Sequence, residues 1–171
     1  MSYAINAGLS VSLDNNTWYQ LTDDNRSPIK IAYEIIDKTN RMADGTLRRY
    51  VIANKHKITT DWKETWSRTL ANESFAGTSD GAKGGSWLKS FYEINVFNPV
   101  YVKLSIAGNY ESIGGVITPV ADDTYYSSSY DVSTGSSNFV YATYITSFDY
   151  TVNKRNINFD LVDITIEFTE I

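Results

Sequence analysis

The chain contains no cysteine, which excludes disulfide staples, thiolate zinc sites and thiol nucleophiles together. Its fold must be held by ordinary packing. It has a single histidine, too few for a His-based metal cluster. No stretch approaches the roughly 20 apolar residues that a helix needs to cross a bilayer. The start, Met1-Ser2-Tyr3-Ala4-Ile5-Asn6, lacks the basic end and apolar core of a secretion signal, so a cytosolic product is expected. Basic charge is also short. A net charge of −5 and a pI near 4.8 argue against a nucleic-acid reader, which needs a basic face for phosphates. They do not exclude DNA that slides past.

What is there belongs to a β-protein. The 171 residues, 42% hydrophobic and 20% charged, suit one domain with a continuous core. Thirteen Tyr stand against seven Phe and four Trp. Tyr packs its ring while keeping its hydroxyl wet, which fits strands with exposed or interfacial surface.

Strand signals dominate the order along the chain. Leu9, Val11 and Leu13 alternate with Ser10 and Ser12, and Asp14-Asn15-Asn16 turns the chain toward Trp18-Tyr19-Gln20-Leu21. After a polar loop from Thr22 to Pro28, Ile29 to Ile35 alternates again. Asn40 to Gly45 reads as a hairpin loop, since Asp-Gly accepts positive φ cheaply, and it leads into Thr46 to Ala53. In the longest alternating run, Ile58, Thr60, Trp62, Glu64 and Trp66 share one face. Gly77 to Gly85, with four glycines, reads as a mobile loop. Ser86 as N-cap, with Trp87, Leu88, Phe91 and Tyr92 at helical spacing, predicts a helix ending near Asn95 whose apolar stripe lies on a sheet. Val100 to Ile106 alternates, and a long loop covers about Gly108 to Ser137; loops of that length are usually functional. Two strands close the chain, near Phe139 to Val152 and through Val162, Ile164, Ile166 and Phe168. Opposite parity at Ile157, Phe159 and Leu161 predicts a bulge or break near Leu161-Val162.

No catalytic constellation emerges. His56 has no nucleophile motif beside it and reads as a solvated strand-end residue. Asp122-Asp123 are adjacent in a loop and would point apart; Asp61 and Glu64 have opposite parity. Glu64 between Trp62 and Trp66 would suit a sugar cradle, while a sheet face packed on a neighbouring chain is the plainer account. Gly81-Ala82-Lys83-Gly84-Gly85-Ser86 lacks the residue order of a phosphate loop. The basic stretch Arg48-Arg49-Tyr50 to Lys55-His56-Lys57 suits an acidic patch on a neighbouring subunit.

Three segments resemble tail proteins of tailed bacteriophages. Asp37 to Lys55, with Arg41-Met42-Ala43-Asp44-Gly45-Thr46-Leu47-Arg48-Arg49-Tyr50 at its centre, is similar to a recurring hairpin that precedes a tryptophan strand. Asp80 to Tyr92 resembles their glycine loop and helix, and Phe159 to Ile171 their final strand. The three cover about half of the chain, in the same order. The resemblance implies a mainly β fold, a β-sandwich with one flanking helix, shared by tail-tube, distal tail and tail-completion proteins. It further implies rings, commonly sixfold, with sheets joined around a lumen through which DNA passes, and other tail proteins as partners.

The expectations are therefore these. Residues 1–171 form a single β-sandwich domain with a helix near 86–95 and a long loop near 108–137. The chain is a non-enzymatic virion subunit, made in the host cytoplasm, with no cofactor, no metal and no membrane partner. Arg41, Met42, Arg48, Arg49, Trp62, Trp66, Tyr125 and Tyr126 are the candidate assembly residues. The alternative is a carbohydrate-binding module for host attachment, with Trp18, Trp62 and Trp66 as platform and Tyr125, Tyr126 and Tyr130 lining a groove. A hydrolase using Glu64 or Asp61 ranks behind both.

Overall fold

The computed structural model describes residues 8–68, 77–104 and 140–171, and the backbone of 110–113 and 116–119. Nine strands and one helix follow in the order β1 (Leu9–Ser12), β2 (Tyr19–Gln20), β3 (Lys30–Arg41), β4 (Leu47–Trp66), α1 (Gly85–Asn95), β5 (Val100–Leu104), β6 (Tyr110–Ile113), β7 (Val116–Pro119), β8 (Val140–Arg155) and β9 (Asp160–Glu170). Seven of them make one antiparallel sheet in the order β2-β1-β5-β8-β9-β4-β3, and β6 pairs with β7 apart from it. The fold is mainly β with one flanking helix, as expected. Its described strands run through a single hydrogen-bonded sheet of seven rather than two facing sheets, because β8 bridges β5 to β9.

Alternation sets the core. In β5, Val100, Val102 and Leu104 are buried while Tyr101 and Lys103 are half-exposed; in β9, Val162, Ile164, Ile166 and Phe168 are buried. Helix α1 lays Leu88 and Phe91 on this face. Trp87 extends the contact against Tyr19, and Tyr92 stacks on Phe148 with ring centroids 4.6 Å apart. The helix starts at Gly85, one residue before the expected 86–95 span, and its cap lies two residues before the expected one. Gly84, not Ser86, takes the N-cap position, with no side-chain cap, and the N–H of Ser86 donates to the Ser67 carbonyl at 2.8 Å.

The glycines before the helix serve close packing. A Cβ on Gly85 would stand 2.7 Å from Val162 Cγ2, and one on Gly84 would stand 2.9 Å from the Trp66 and Arg68 carbonyl oxygens. The segment 77–84 is correspondingly tied down rather than loose. Asp80 accepts from Thr22 Oγ1 and from the N–H groups of Asp23 and Ala82, while Thr78 Oγ1 donates to the Ala82 carbonyl at 2.7 Å.

Two sequence parities shift for one reason. β4 carries an extra residue at Lys63-Glu64, where the register against β9 slips and Glu64 adopts φ +49°. Trp62, just before the bulge, stays in the buried row of Ile58 and Thr60, 1% exposed, with its Nε1–H donating to the Thr22 carbonyl at 2.7 Å. Beyond the bulge Thr65 is buried, and Trp66 turns to the other face, edge-on to Phe159. The irregularity expected near Leu161-Val162 lies at that level. The extra residues, however, sit on the neighbours, Lys63-Glu64 of β4 and Asn153 of β8, while β9 itself runs unbroken.

Candidate functional site

The hairpin of β3 and β4 outgrows the sheet. β9 pairs β4 only as far as Lys57, opposite Thr169. From there β3 and β4 continue as a two-stranded arm, paired to the Arg41–Leu47 level. The stretch Leu47–Asn54 alone extends about 25 Å at the usual rise per strand residue. The turn is the one that Asp-Gly dictates. Gly45 has φ +85°, the Asp44 carboxylate accepts the Thr46 N–H at 2.9 Å, and the Met42 N–H donates to the Thr46 carbonyl at 2.8 Å.

Every residue from Tyr33 to Ile52 is exposed. The arm nonetheless holds eight of the fifteen large exposed apolar side chains among the described residues: Tyr33, Ile35, Ile36, Met42, Leu47, Tyr50, Val51 and Ile52. Strand register distributes them over both faces. Tyr33, Ile35, Val51 and Leu47 continue the core-side row of Ile31 and Ile58, while Ile36 and Tyr50 occupy the other side. A bulge at Ile36/Asp37 adds Ile52 as the unmatched residue, which is 71% exposed. An isolated two-stranded ribbon is marginal in water, and exposed apolar side chains in this number are a feature of interaction surfaces.

The arm is also basic. Between Ile36 and Ile52 lie Lys38, Arg41, Arg48 and Arg49 against Asp37 and Asp44, a net +2, which leaves the remainder of the chain at −7. Arg49 pairs with Asp37 across the strands, and Arg41 Nη1 donates to the Gly45 carbonyl at 3.3 Å.

At the arm's root stands the one histidine. His56 is half-buried within β4 rather than solvated at a strand end. Its Nδ1 lies 2.5 Å from Glu170 Oε2, its backbone N–H donates to the same oxygen at 2.8 Å, and its ring contacts Tyr33 and Tyr141. The Tyr141 hydroxyl titrates above its ordinary range because it is half-buried and faces Tyr33 and Glu170.

Of the sequence candidates, Arg41, Met42, Arg48 and Arg49 come together on the arm. Trp62 does not join them, since it continues the buried row of Ile58 and Thr60 into the chain's own core, and Trp66, shifted by the bulge, is half-buried against Phe159 on the other face. The Trp62–Trp66 platform around Glu64 is therefore not assembled. The Glu64 carboxylate lies 3.6 Å from Lys154, and its N–H donates to Asp163 at 2.7 Å. Tyr125, Tyr126 and Tyr130 lie outside the described residues. Within the expected 108–137 loop, the described backbone forms the β6–β7 hairpin. Met42 apart, sequence reading missed the arm's apolar residues. Their signal was the unbroken run Tyr50-Val51-Ile52-Ala53 and the pair Ile35-Ile36, which put apolar side chains on both faces.

A shallow polar depression of about 630 Å³ lies beside the two bulges, lined by Asn25, Arg26, Ser27, Lys63, Glu64, Asn153 and Asp163. Its carboxylate Asp163 is held below the usual range, first by the Asn153 side chain and then by the Glu64 N–H. Three other acceptors are lowered likewise: Asp14 by the Thr17 and Asn16 N–H groups, Asp44 by Thr46, and Glu167 by Lys57. Each favours the folded state only while ionised. Their contribution is complete above the ordinary carboxylate pKa near 4 and is lost as pH falls through the lowered folded values. Thermal midpoints should accordingly be flat from about pH 5 to 7 and drop below pH 4, with Asp163→Asn flattening part of that drop.

No family model matches the chain, and no curated protein matches it. Among solved structures, the chain is similar to one from the tail of an empty GTA particle, computed with helical refinement in C6 symmetry. The likeness spans 100% of this chain and 95% of that one, at a TM-score of 0.44 and 8% identity.

Proposed function

We propose that the chain is a structural, non-catalytic subunit of a bacteriophage tail, built into rings that enclose the channel for DNA. The observation that carries this reading is the arm, twenty consecutive exposed residues rich in apolar and basic side chains on a chain that is otherwise acidic. Such a surface costs solubility in a free monomer and is stabilising only when covered. The resemblance of Asp37–Lys55, Asp80–Tyr92 and Phe159–Ile171 to tail proteins supports the tail as the place of assembly. The outer edge of β3 supports side-by-side joining of sheets, because its twelve residues have no strand partner beyond β4 among the described residues. Sixfold rings stacked as a tube are the preferred form, with a ring at either tail end as the other. The acidic remainder of the chain suits a lumen that DNA must traverse without sticking. The partners are further copies and neighbouring tail proteins; DNA is cargo.

The test is immunogold labelling of particles carrying an epitope-tagged copy. Label along the tail shaft supports the tube, and label confined to one tail end supports the terminal ring. A tagged chain absent from purified particles overturns the tail reading.

A further inference from the structure

A second unpartnered apolar surface lies across the sheet from the arm. At the end of α1, Ile94 is 74% and Phe97 is 89% exposed. The chain then enters β5, whose Tyr101 pairs with Ser12 of β1, and the next residue, Leu13, is exposed as well. Leu13, which follows Ser12, and Ile94 and Phe97, which precede Val100, thus all adjoin the Ser12–Tyr101 end of the β1–β5 pair. By register Val100 lies level with Thr143 and Glu170, and so with the arm's root at His56; from that level the arm runs in the direction of Leu104 and Leu9, away from Leu13. One chain's arm does not cover that chain's own patch.

We infer that the arm of one copy seats on the Leu13–Ile94–Phe97 surface of a second copy, a head-to-tail contact. This rests on the assembly reading above and names its socket. Charge favours the same pairing. The arm carries net +2, and the rest of the chain −7. Beside the socket stand Asp14, its carboxylate fixed by the N–H groups of Asn16 and Thr17, and Glu93, which also pairs with Lys89 at 3.3 Å. Arm and socket are different surfaces, so every copy offers one of each. Contacts of this heterologous kind close into a ring or run on as a filament, whereas arm against arm would stop at a dimer.

Two variants test this together. In one, residues 37–52 are replaced by Asn-Gly, which leaves the socket intact; in the other, Ile94→Ser and Phe97→Ser leave the arm intact. Both remove exposed groups, so circular dichroism should match the parent. Each variant alone should be a monomer by light scattering, and a 1:1 mixture should give heterodimers and nothing larger. A socket variant that assembles like the parent overturns the socket while leaving the arm's role standing. An arm-shortened chain that assembles like the parent overturns both. Monomers that fail to pair on mixing also overturn the head-to-tail contact.

Discussion

Closing β3 and β4 directly at the Ile36–Ala53 pair with an Asn-Gly turn is expected to abolish self-assembly and leave a folded, more soluble monomer. The two residues face one another in register, so a two-residue turn joins them without distorting either strand. Residues 37–52 contribute little to the core, because all of them are exposed; the thermal midpoint should move by only a few degrees. What is lost is interfacial. A large apolar side chain contributes about 1.5–3 kcal/mol on full burial, and association costs several kcal/mol in lost freedom. Removing Met42, Leu47, Tyr50, Val51 and Ile52 together takes away most of the surplus that offsets this cost. Raised salt should weaken the parent's assembly in the same direction, by screening the arm's arginines and Lys38.

Trp62→Ala should have the opposite signature, a large loss of stability in any assembly state. Trp62 is 1% exposed in the centre of the core, and its N–H satisfies the Thr22 carbonyl. Truncating a buried Trp costs about 3–5 kcal/mol, and the orphaned carbonyl adds to that. At about 2–4 °C per kcal/mol for a domain of this size, the midpoint should fall by roughly 10 °C or more. Trp62→Phe keeps much of the ring and should lose clearly less. Trp66→Ala, at a half-buried site on the far side of the bulge, should also lose less. Equal losses at positions 62 and 66 by calorimetry would contradict the bulge that separates them.

Much of the fold was legible because period-2 alternation reports burial directly. Val162, Ile164, Ile166 and Phe168 read as one face of a strand and are buried as one. The Asp44-Gly45 hairpin is where positive φ was needed, and the helix differs by a single residue at its start. Parity fails wherever an extra residue enters a strand. Nothing local distinguishes Lys63-Glu64 from its neighbours, yet the bulge there moves Trp66 off the face of Trp62. The glycines at 84 and 85 read as looseness because sequence shows the missing side chain, not the sheet pressed against it. The arm was half legible. Its basic residues and turn were singled out, but Ile35, Ile36, Val51 and Ile52 look like core residues until the register shows that β9 ends before reaching them. Burial within a chain and burial between chains leave the same mark in composition.

Assembly of this chain with copies of itself is the proposal on which the arm's role depends. The most direct measurement is the chain's mass in solution by light scattering, with negative-stain images of the same fractions. A mass several times 19.3 kDa, with rings or tubes in the images, is the predicted result. A monomer that persists at high concentration, with the arm intact and no rings, would contradict it.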